Sequence, residues 1–199
     1  MAWLRIPLNA LLIAGLTAAA AVAASPPADE DAVITQSLAE MLRDARTVIS
    51  NNQDLINNPE LGDKHLSGQV VLEQAIKGYA KATGKNPTKI DPNSRQGRLL
   101  RAMMASIVAM TDDNQATINE KGTGFKGFIP AVFARLVSED FNQLANGRPA
   151  FRVTVPEYYA PSCLVCHGSP KGEMDLTGYP KEGGKTGDLG AVISITLYH

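Results

Sequence analysis

The first half of the chain, after its N-terminal leader, carries hydrophobic residues at steps of three and four, which predicts amphipathic helices. The first predicted helix covers residues 31–57 and ends at an Asn-Asn-Pro sequence, because proline disfavours helix in the residue before it. The second covers residues 67–83, with Ser67 as its N-cap and Gly84 as its C-terminal stop. A third helix is predicted to begin at Ser94.

The pattern changes after Thr111, where short apolar runs replace the long helical stripes. Two short strands are predicted, at residues 116–119 and 124–129, on either side of a Glu-Lys-Gly turn. A further helix is predicted over residues 130–142, with proline at its first position.

The last part of the chain alternates apolar and polar residues, which is typical of half-buried strands. Strands are predicted at residues 151–155 and 189–198, separated by a glycine-rich polar loop over residues 168–185. In the final strand one face carries Ile193, Ile195 and Leu197. The expected fold is therefore α+β, with N-terminal helices packed on a small antiparallel sheet.

Residues 1–24 have the features of a secretory signal, namely Arg5, an apolar stretch and small residues suited to cleavage. The stretch is short and rich in alanine for a spanning helix, so we expect an exported, periplasmic protein without a membrane span after cleavage. Residues 25–31, with two prolines and three acids, are predicted to be a disordered lead-in. Residues 32–199 then have the length of a single domain.

Composition excludes some classes of function. The net charge is −1, so the chain has no basic field that would indicate nucleic-acid binding. A hydrophobic content of 44% is enough for a globular core.

Both cysteines of the chain and one of its three histidines lie in the sequence Cys163-Leu-Val-Cys166-His167. This spacing is the attachment signature of a c-type haem. Two thiols three positions apart can form thioethers with the two vinyl groups of a porphyrin, and the next imidazole can then reach the iron. We therefore predict one covalent haem c, with Cys163 and Cys166 as its attachment points and His167 as its proximal iron ligand.

Three other uses of this cysteine pair were weighed: a small disulfide, a thioredoxin-like dithiol and part of a zinc site. Zinc usually takes four protein donors, and this cluster offers three, with His65 and His199 as the other histidines. A redox dithiol usually follows a strand in a βαβ unit, whereas residues 156–162 are predicted to be a turn-rich loop. The export signal also favours haem, because thioether attachment takes place outside the cytoplasm in bacteria.

The sixth iron position is left open by the sequence. Its candidates are a water molecule, no ligand at all, or one of six side chains: His65, His199, Met41, Met103, Met104 and Met110. Each methionine also lies on an apolar helical stripe, which favours core packing. The aromatic residues Phe125, Phe128, Tyr158 and Tyr159 suit a haem wall or a plain core equally well. For Arg148, Arg152 and Lys171, solvated surface charge is favoured over contact with haem propionates. The glycines of residues 180–190 are interpreted as a loop lying close over the haem edge.

Several segments resemble the Tll0287-like family, also known as the domain of unknown function 3365. They are residues 124–137, 155–159 and 187–191, together with the haem loop Cys163-Leu-Val-Cys-His-Gly-Ser-Pro-Lys-Gly172. The resemblance covers nearly the whole mature chain and implies an exported c-type haem protein with a PAS-like sheet. It also implies that Cys163 and Cys166 carry the thioethers and that His167 is the proximal ligand.

The chain departs from this family in two ways. A cysteine has been described as the sixth ligand in the family, and this chain has no spare cysteine. The stretch between the helix at Pro130 and the next strand is also short, so we expect a sheet that lacks one or more strands of a full PAS domain.

Three functions follow as hypotheses. The first is a periplasmic sensor of redox state or of a small gas, which would need a separate signalling partner because no output domain follows in the sequence. The second is an electron carrier that acts with a periplasmic redox protein. The third, a peroxidase-like enzyme, requires a distal acid–base residue, for which His65 is the available imidazole.

Overall fold

The computed structural model describes residues 28–144 and 149–198. Its helices are α1 (Ala28–Asn51), α2 (Gln53–Ile56), α3 (Gly68–Thr83), α4 (Arg95–Asp113), α5 (Gln115–Ile118), α6 (Pro130–Leu144) and α7 (Leu164–His167). Its strands are β1 (Pro149–Tyr158) and β2 (Leu189–Tyr198), and short 3-10 turns lie at Pro87–Lys89 and Pro161–Cys163. Within these described ranges, no helix has both the length and the apolar character needed to cross a bilayer.

The predicted helices are confirmed, and so is the N-cap predicted at Ser67. The Ser67 side chain accepts a hydrogen bond from the backbone N–H of Val70, and the Ser94 side chain accepts one from Gly97. Gly84 ends α3 in the left-handed conformation, with φ of 69°. The helix predicted over residues 31–57 is divided into α1 and α2 at Asn52.

Helix α1 begins earlier than predicted. Its first turn occupies residues 28–31, so the last four residues of the expected lead-in are helical. Asp31 in this turn is buried and pairs with Arg95 at the start of α4. This ion pair joins the first turns of the two helices. The predicted signal over residues 1–24 lies outside the described residues.

The two short strands predicted after Thr111 are wrong. Residues 116–119 belong mostly to α5, and residues 124–129 form a loop. Their apolar side chains pack into the helical core, since Ile118 is fully buried and Phe128 is 2% exposed. A short apolar run has the same sequence pattern in a strand as in a loop or single-turn helix packed on a core, so periodicity could not distinguish the two.

Strands β1 and β2 form an antiparallel pair, in which Val153 lies opposite Ile195 and Val155 opposite Ile193. The alternation predicted for residues 189–198 is confirmed, because Ile193, Ile195 and Leu197 are buried while their neighbour Val192 is exposed. Strand β1 runs to Tyr158, so residues 156–158 are strand and not the predicted loop.

The α+β prediction is confirmed, with a sheet of two strands in the described part of the chain. Helix α1 is the centre of this arrangement, because it contacts α3, α4, α6 and both strands. The largest fully buried side chains come from the long helices, from the short helices α2 and α5, and from β2: Ile34, Leu38, Met41, Ile49, Ile56, Tyr79, Leu100, Met103, Ile107, Ile118, Phe133 and Leu197.

The carboxyl group of Asp44, on α1, lies in a half-buried position that disfavours its ionised form. A Cβ atom at Gly78 of α3 would lie 2.4 Å from Oδ1 of Asp44, which shows how closely the two helices approach. The other oxygen, Oδ2, is buried and has no hydrogen-bond partner among the described residues. Burial, and then repulsion from Glu40, raises the pKa of Asp44 from 3.8 to about 6.

Stability is therefore expected to fall as pH rises through about 6, because Asp44 ionises near 3.8 when the chain is unfolded. Asp44→Asn removes this effect and should raise the free energy of unfolding by about 1 kcal/mol near pH 7.5, a value reduced by solvent screening of this half-buried group. Urea unfolding near pH 7.5 and near pH 4.5 measures the difference, with the exposed Asp54→Asn as control. An equal gain at both pH values would contradict the assignment.

Candidate functional site

The sequence Cys163-Leu-Val-Cys166-His167 forms a 3-10 turn followed by the single-turn helix α7. Both cysteines are half-buried and neither is in a disulfide. The disulfide alternative therefore has no support in this geometry. Two free thiols and an imidazole lie within one continuous helical segment that reaches the protein surface.

Side chains of helix α1 hold the residues that lead into this segment. The Glu157 carboxylate, at the end of β1, accepts hydrogen bonds from Arg43 at 2.5 Å and from Arg46 at 2.7 Å. The Ser50 hydroxyl donates to the Ser162 hydroxyl at 2.7 Å, directly before Cys163. Three side chains of one rigid helix thus hold the chain on the N-terminal side of the thiols.

Backbone hydrogen bonds fold the glycine-rich loop back onto the motif. Gly184 N–H donates to the His167 carbonyl at 2.7 Å, and Gly183 N–H donates to the Gly168 carbonyl at 2.9 Å. Farther out, Lys181 N–H donates to the Glu173 carbonyl at 2.7 Å. This pairing brings Glu182, between Lys181 and Gly183 in the chain, next to the His167 ring.

The His167 imidazole is held by two partners. Its Nδ1 lies 3.1 Å from Oε2 of Glu182, and its ring stacks on Tyr159 with centroids 5.0 Å apart and an angle of 16°. The Tyr159 hydroxyl donates to the same Oε2 at 2.6 Å. This bond raises the pKa of Tyr159 to about 12 and, with the His167 bond, lowers the pKa of Glu182.

These contacts determine which imidazole nitrogen is available. Glu182 is ionised at neutral pH because its pKa is lowered, and an ionised carboxylate can only accept hydrogen bonds. Nδ1 of His167 therefore carries a proton, and in the neutral imidazole this leaves the lone pair of Nε2 for a ligand. The imidazole side chain is 46% exposed, so a group on the surface can reach it.

The thiol of Cys166 is not prepared to act as a thiolate. Burial raises its pKa, and the charge of the neighbouring Asp175 carboxylate and a hydrogen bond to it raise it further. A reactive dithiol needs the opposite shift, because the thiolate is the nucleophile. The surroundings of Cys166 therefore do not favour a redox dithiol.

Most of the exposed large hydrophobic side chains of the described residues belong to the stretch of chain that carries the motif: Tyr158, Val165, Met174, Leu176, Tyr179, Leu189 and Val192. One of them, Val165, stands between the two cysteines. Two free thiols, an imidazole with an open Nε2 and exposed apolar side chains in the same stretch of chain fit a covalently attached porphyrin.

Across residues 28–144 and 149–198, no three His, Cys, Asp or Glu side chains converge as a metal cluster requires. A haem iron needs only one protein ligand on its proximal side, since the porphyrin supplies four nitrogens.

The candidate sixth ligands lie in different surroundings. The four methionines pack in or against the helical core, as their apolar stripes predicted: Met41, Met103, Met104 and Met110. His65 is exposed in the loop between α2 and α3, where its ring faces Asp63 at 3.2 Å. His199 lies outside the described residues. The sixth ligand therefore stays a prediction.

The four aromatic candidates also lie in different surroundings. Phe128 belongs to the core and makes an edge contact with Phe133, whereas Tyr159 stacks on His167. Tyr158 is 61% exposed and Phe125 is 38% exposed.

The basic candidates also differ in their contacts. The Arg152 guanidinium donates to the Thr196 hydroxyl across the sheet, at 3.0 Å. The Lys171 side chain is exposed and lies against Gly183. Arg148 lies outside the described residues. Surface positions for Arg152 and Lys171 agree with the preference for solvated charge.

Glu182, which contacts His167, was not among the sequence candidates. It is fifteen residues from His167, and only the fold of the loop brings them together. The sequence carried one signal for Glu182, because this residue directly precedes two consecutive glycines. A chain can approach another segment closely at such a place.

Two glycines make room for the Tyr159 ring. A Cβ at Gly190 would lie 2.1 Å from Cε1 of Tyr159, and one at Gly184 would lie 2.6 Å from Cε2. The interpretation of the loop glycines therefore needs a correction for Gly184, whose small size serves Tyr159 and the His167 carbonyl.

Gly190→Ala should push the Tyr159 ring off His167, because the added methyl group overlaps it. We expect the free energy of unfolding to fall by about 1 kcal/mol or more. Urea unfolding measures this, with Gly124→Ala as control, since a Cβ there meets nothing within 4 Å. Equal stability of the two variants would show that Tyr159 has room to move.

The family model described as "Tll0287-like: Tll0287" matches residues 28–197. No curated protein and no solved structure matches the chain.

Proposed function

This chain belongs to the Tll0287-like family, and on that premise we propose that it is an exported protein with one covalent haem c that senses redox state or a small gas. Cys163 and Cys166 form the thioethers, and Nε2 of His167 binds the iron. The export signal predicted over residues 1–24 supports a periplasmic location.

One observation carries the proposal. Two unbridged thiols at the spacing of haem attachment are followed directly by a half-exposed imidazole whose Nδ1 is occupied by Glu182. A haem ligand needs this tautomer, because Nε2 has to be free. The raised pKa of Cys166 speaks against the competing redox-dithiol function.

Each group of residues at the site has a separate role in this proposal. The two thiols fix the position of the porphyrin, Glu182 orients His167, and Arg43 and Arg46 hold the strand end that carries the motif. When bound, the haem supplies an iron that changes oxidation state and can take a small ligand.

A second function, electron transfer to a periplasmic redox protein, is favoured by the exposure of the motif. Val165, between the two cysteines, is 55% exposed, so one edge of the porphyrin would lie at the surface where a partner docks. A peroxidase-like activity has no such support. Its candidate acid–base residue, His65, has an 87% exposed side chain facing Asp63.

Two measurements test the proposal. The full-length protein, produced in a host with a cytochrome c assembly system, should keep haem on a denaturing gel. Absorption spectra of both oxidation states, with and without carbon monoxide or nitric oxide, then separate the functions. Rapid gas binding supports a sensor, and a low-spin haem closed to gas in both states supports a carrier. A gel band without haem would refute both.

A further inference from the structure

The shared carboxylate oxygen beside His167 has a consequence that rests on the proposed function. We propose that Tyr159 and Glu182 act as an opposed pair of positioning residues that set how strongly His167 donates electrons to the haem iron. Glu182 strengthens the donation, and Tyr159 weakens it by drawing on the same oxygen.

The geometry places both donors on one atom. Oε2 of Glu182 accepts from the Tyr159 hydroxyl at 2.6 Å and from Nδ1 of His167 at 3.1 Å. The Tyr159 bond is short for an O–H···O bond and the His167 bond is long for an N–H···O bond, so the hydroxyl interacts more strongly with this oxygen. The bond to His167 is correspondingly weaker than a carboxylate would otherwise give.

The direction of each effect follows from the chemistry of the ligand. A carboxylate that accepts the Nδ1 proton makes an imidazole a stronger donor. A stronger donor favours the ferric over the ferrous iron and lowers the reduction potential. Removal of Glu182 should thus raise the potential, whereas removal of the Tyr159 hydroxyl should lower it.

The Tyr159 ring and its hydroxyl can be tested separately. The ring is held by its stack on His167 and by the close approach of Gly184 and Gly190. Tyr159→Phe keeps all these contacts and removes one hydrogen bond. A change of potential in this variant therefore reports the hydroxyl and not the packing of the loop.

The experiment measures the reduction potential of the haem-loaded protein and of four variants. Glu182→Gln should shift the redox equilibrium about tenfold towards the ferrous state, which is about 59 mV for one electron. Tyr159→Phe should shift it in the opposite direction. In the double variant the Tyr159→Phe effect should disappear, because it acts through Glu182. Glu173→Gln is the control, since it removes the same charge from the same loop, where Glu173 pairs with Lys181.

Each outcome of this experiment either supports or overturns the inference. Opposite shifts that are non-additive in the double variant support the opposed pair. Haem attached with no shift in either single variant, with shifts of the same sign, or with a shift for Glu173→Gln as large as for Glu182→Gln would overturn the inference and leave the proposed function standing. Absence of covalent haem in the wild-type protein would overturn the proposed function, and the inference with it.

Discussion

Cys166→Ala is expected to abolish double attachment of haem, leaving at most one thioether, at Cys163. The reason is that each vinyl group needs its own thiol, and the chain has no other cysteine. Intact-mass measurement counts the thioethers, and the reduced absorption spectrum should shift to longer wavelength because one vinyl group stays unreacted.

The matched control is Val165→Ala, which truncates the neighbouring exposed side chain of the same motif and keeps both thiols. It should retain the wild-type mass and spectrum. Because Cys166 is only half-buried and unbridged, its replacement should leave the fold intact. A wild-type haem spectrum in Cys166→Ala would contradict the assigned role.

His167→Ala is expected to give protein in which haem is attached poorly or wrongly ligated. The thiols remain, but the iron loses the imidazole whose Nε2 is left open by the Glu182 contact. Absorption spectra should show loss of the wild-type bands, and added imidazole should restore them in part if ligation is the missing function.

Lys185→Ala serves as a control for this variant, because Lys185 is an exposed residue of the same loop. It should keep the wild-type spectrum. If His167→Ala also kept that spectrum, the proximal ligand would have to be a different residue.

Most of the helical part of the fold could be predicted from the sequence. Long apolar stripes and caps at Ser67 and Ser94 are local signals, and the structure bears them out. The predicted strands at 116–119 and 124–129 failed because Ile118 and Phe128 are buried by distant helices, which is tertiary information. The length of β1 was also underestimated, since Glu157 is held in the strand end by Arg43 and Arg46 of α1.

The candidate site was predictable where its residues are adjacent in the chain. Cys163, Cys166 and His167 are spaced within one helical segment, so their chemistry is visible in the sequence. The Tyr159–Glu182 pair was not, because it forms only after the loop closes through backbone bonds at Gly183 and Gly184. Such contacts have no periodic or spacing signal.

The buried core and the segment that carries the cysteine motif are built from different residues, which bears on how the protein would mature. Of the described residues from 156 to 192, none contributes a hydrophobic side chain to the buried core, which is built from the helices, from Leu66 and Phe128 in loops, and from residues 193–197 of β2. Under the proposed function, the hydrophobic driving force for folding would therefore not depend on the haem. The two thiols are half-buried and unbridged. Haem attachment would then act on a chain that has already collapsed around α1, and it would not have to come before folding.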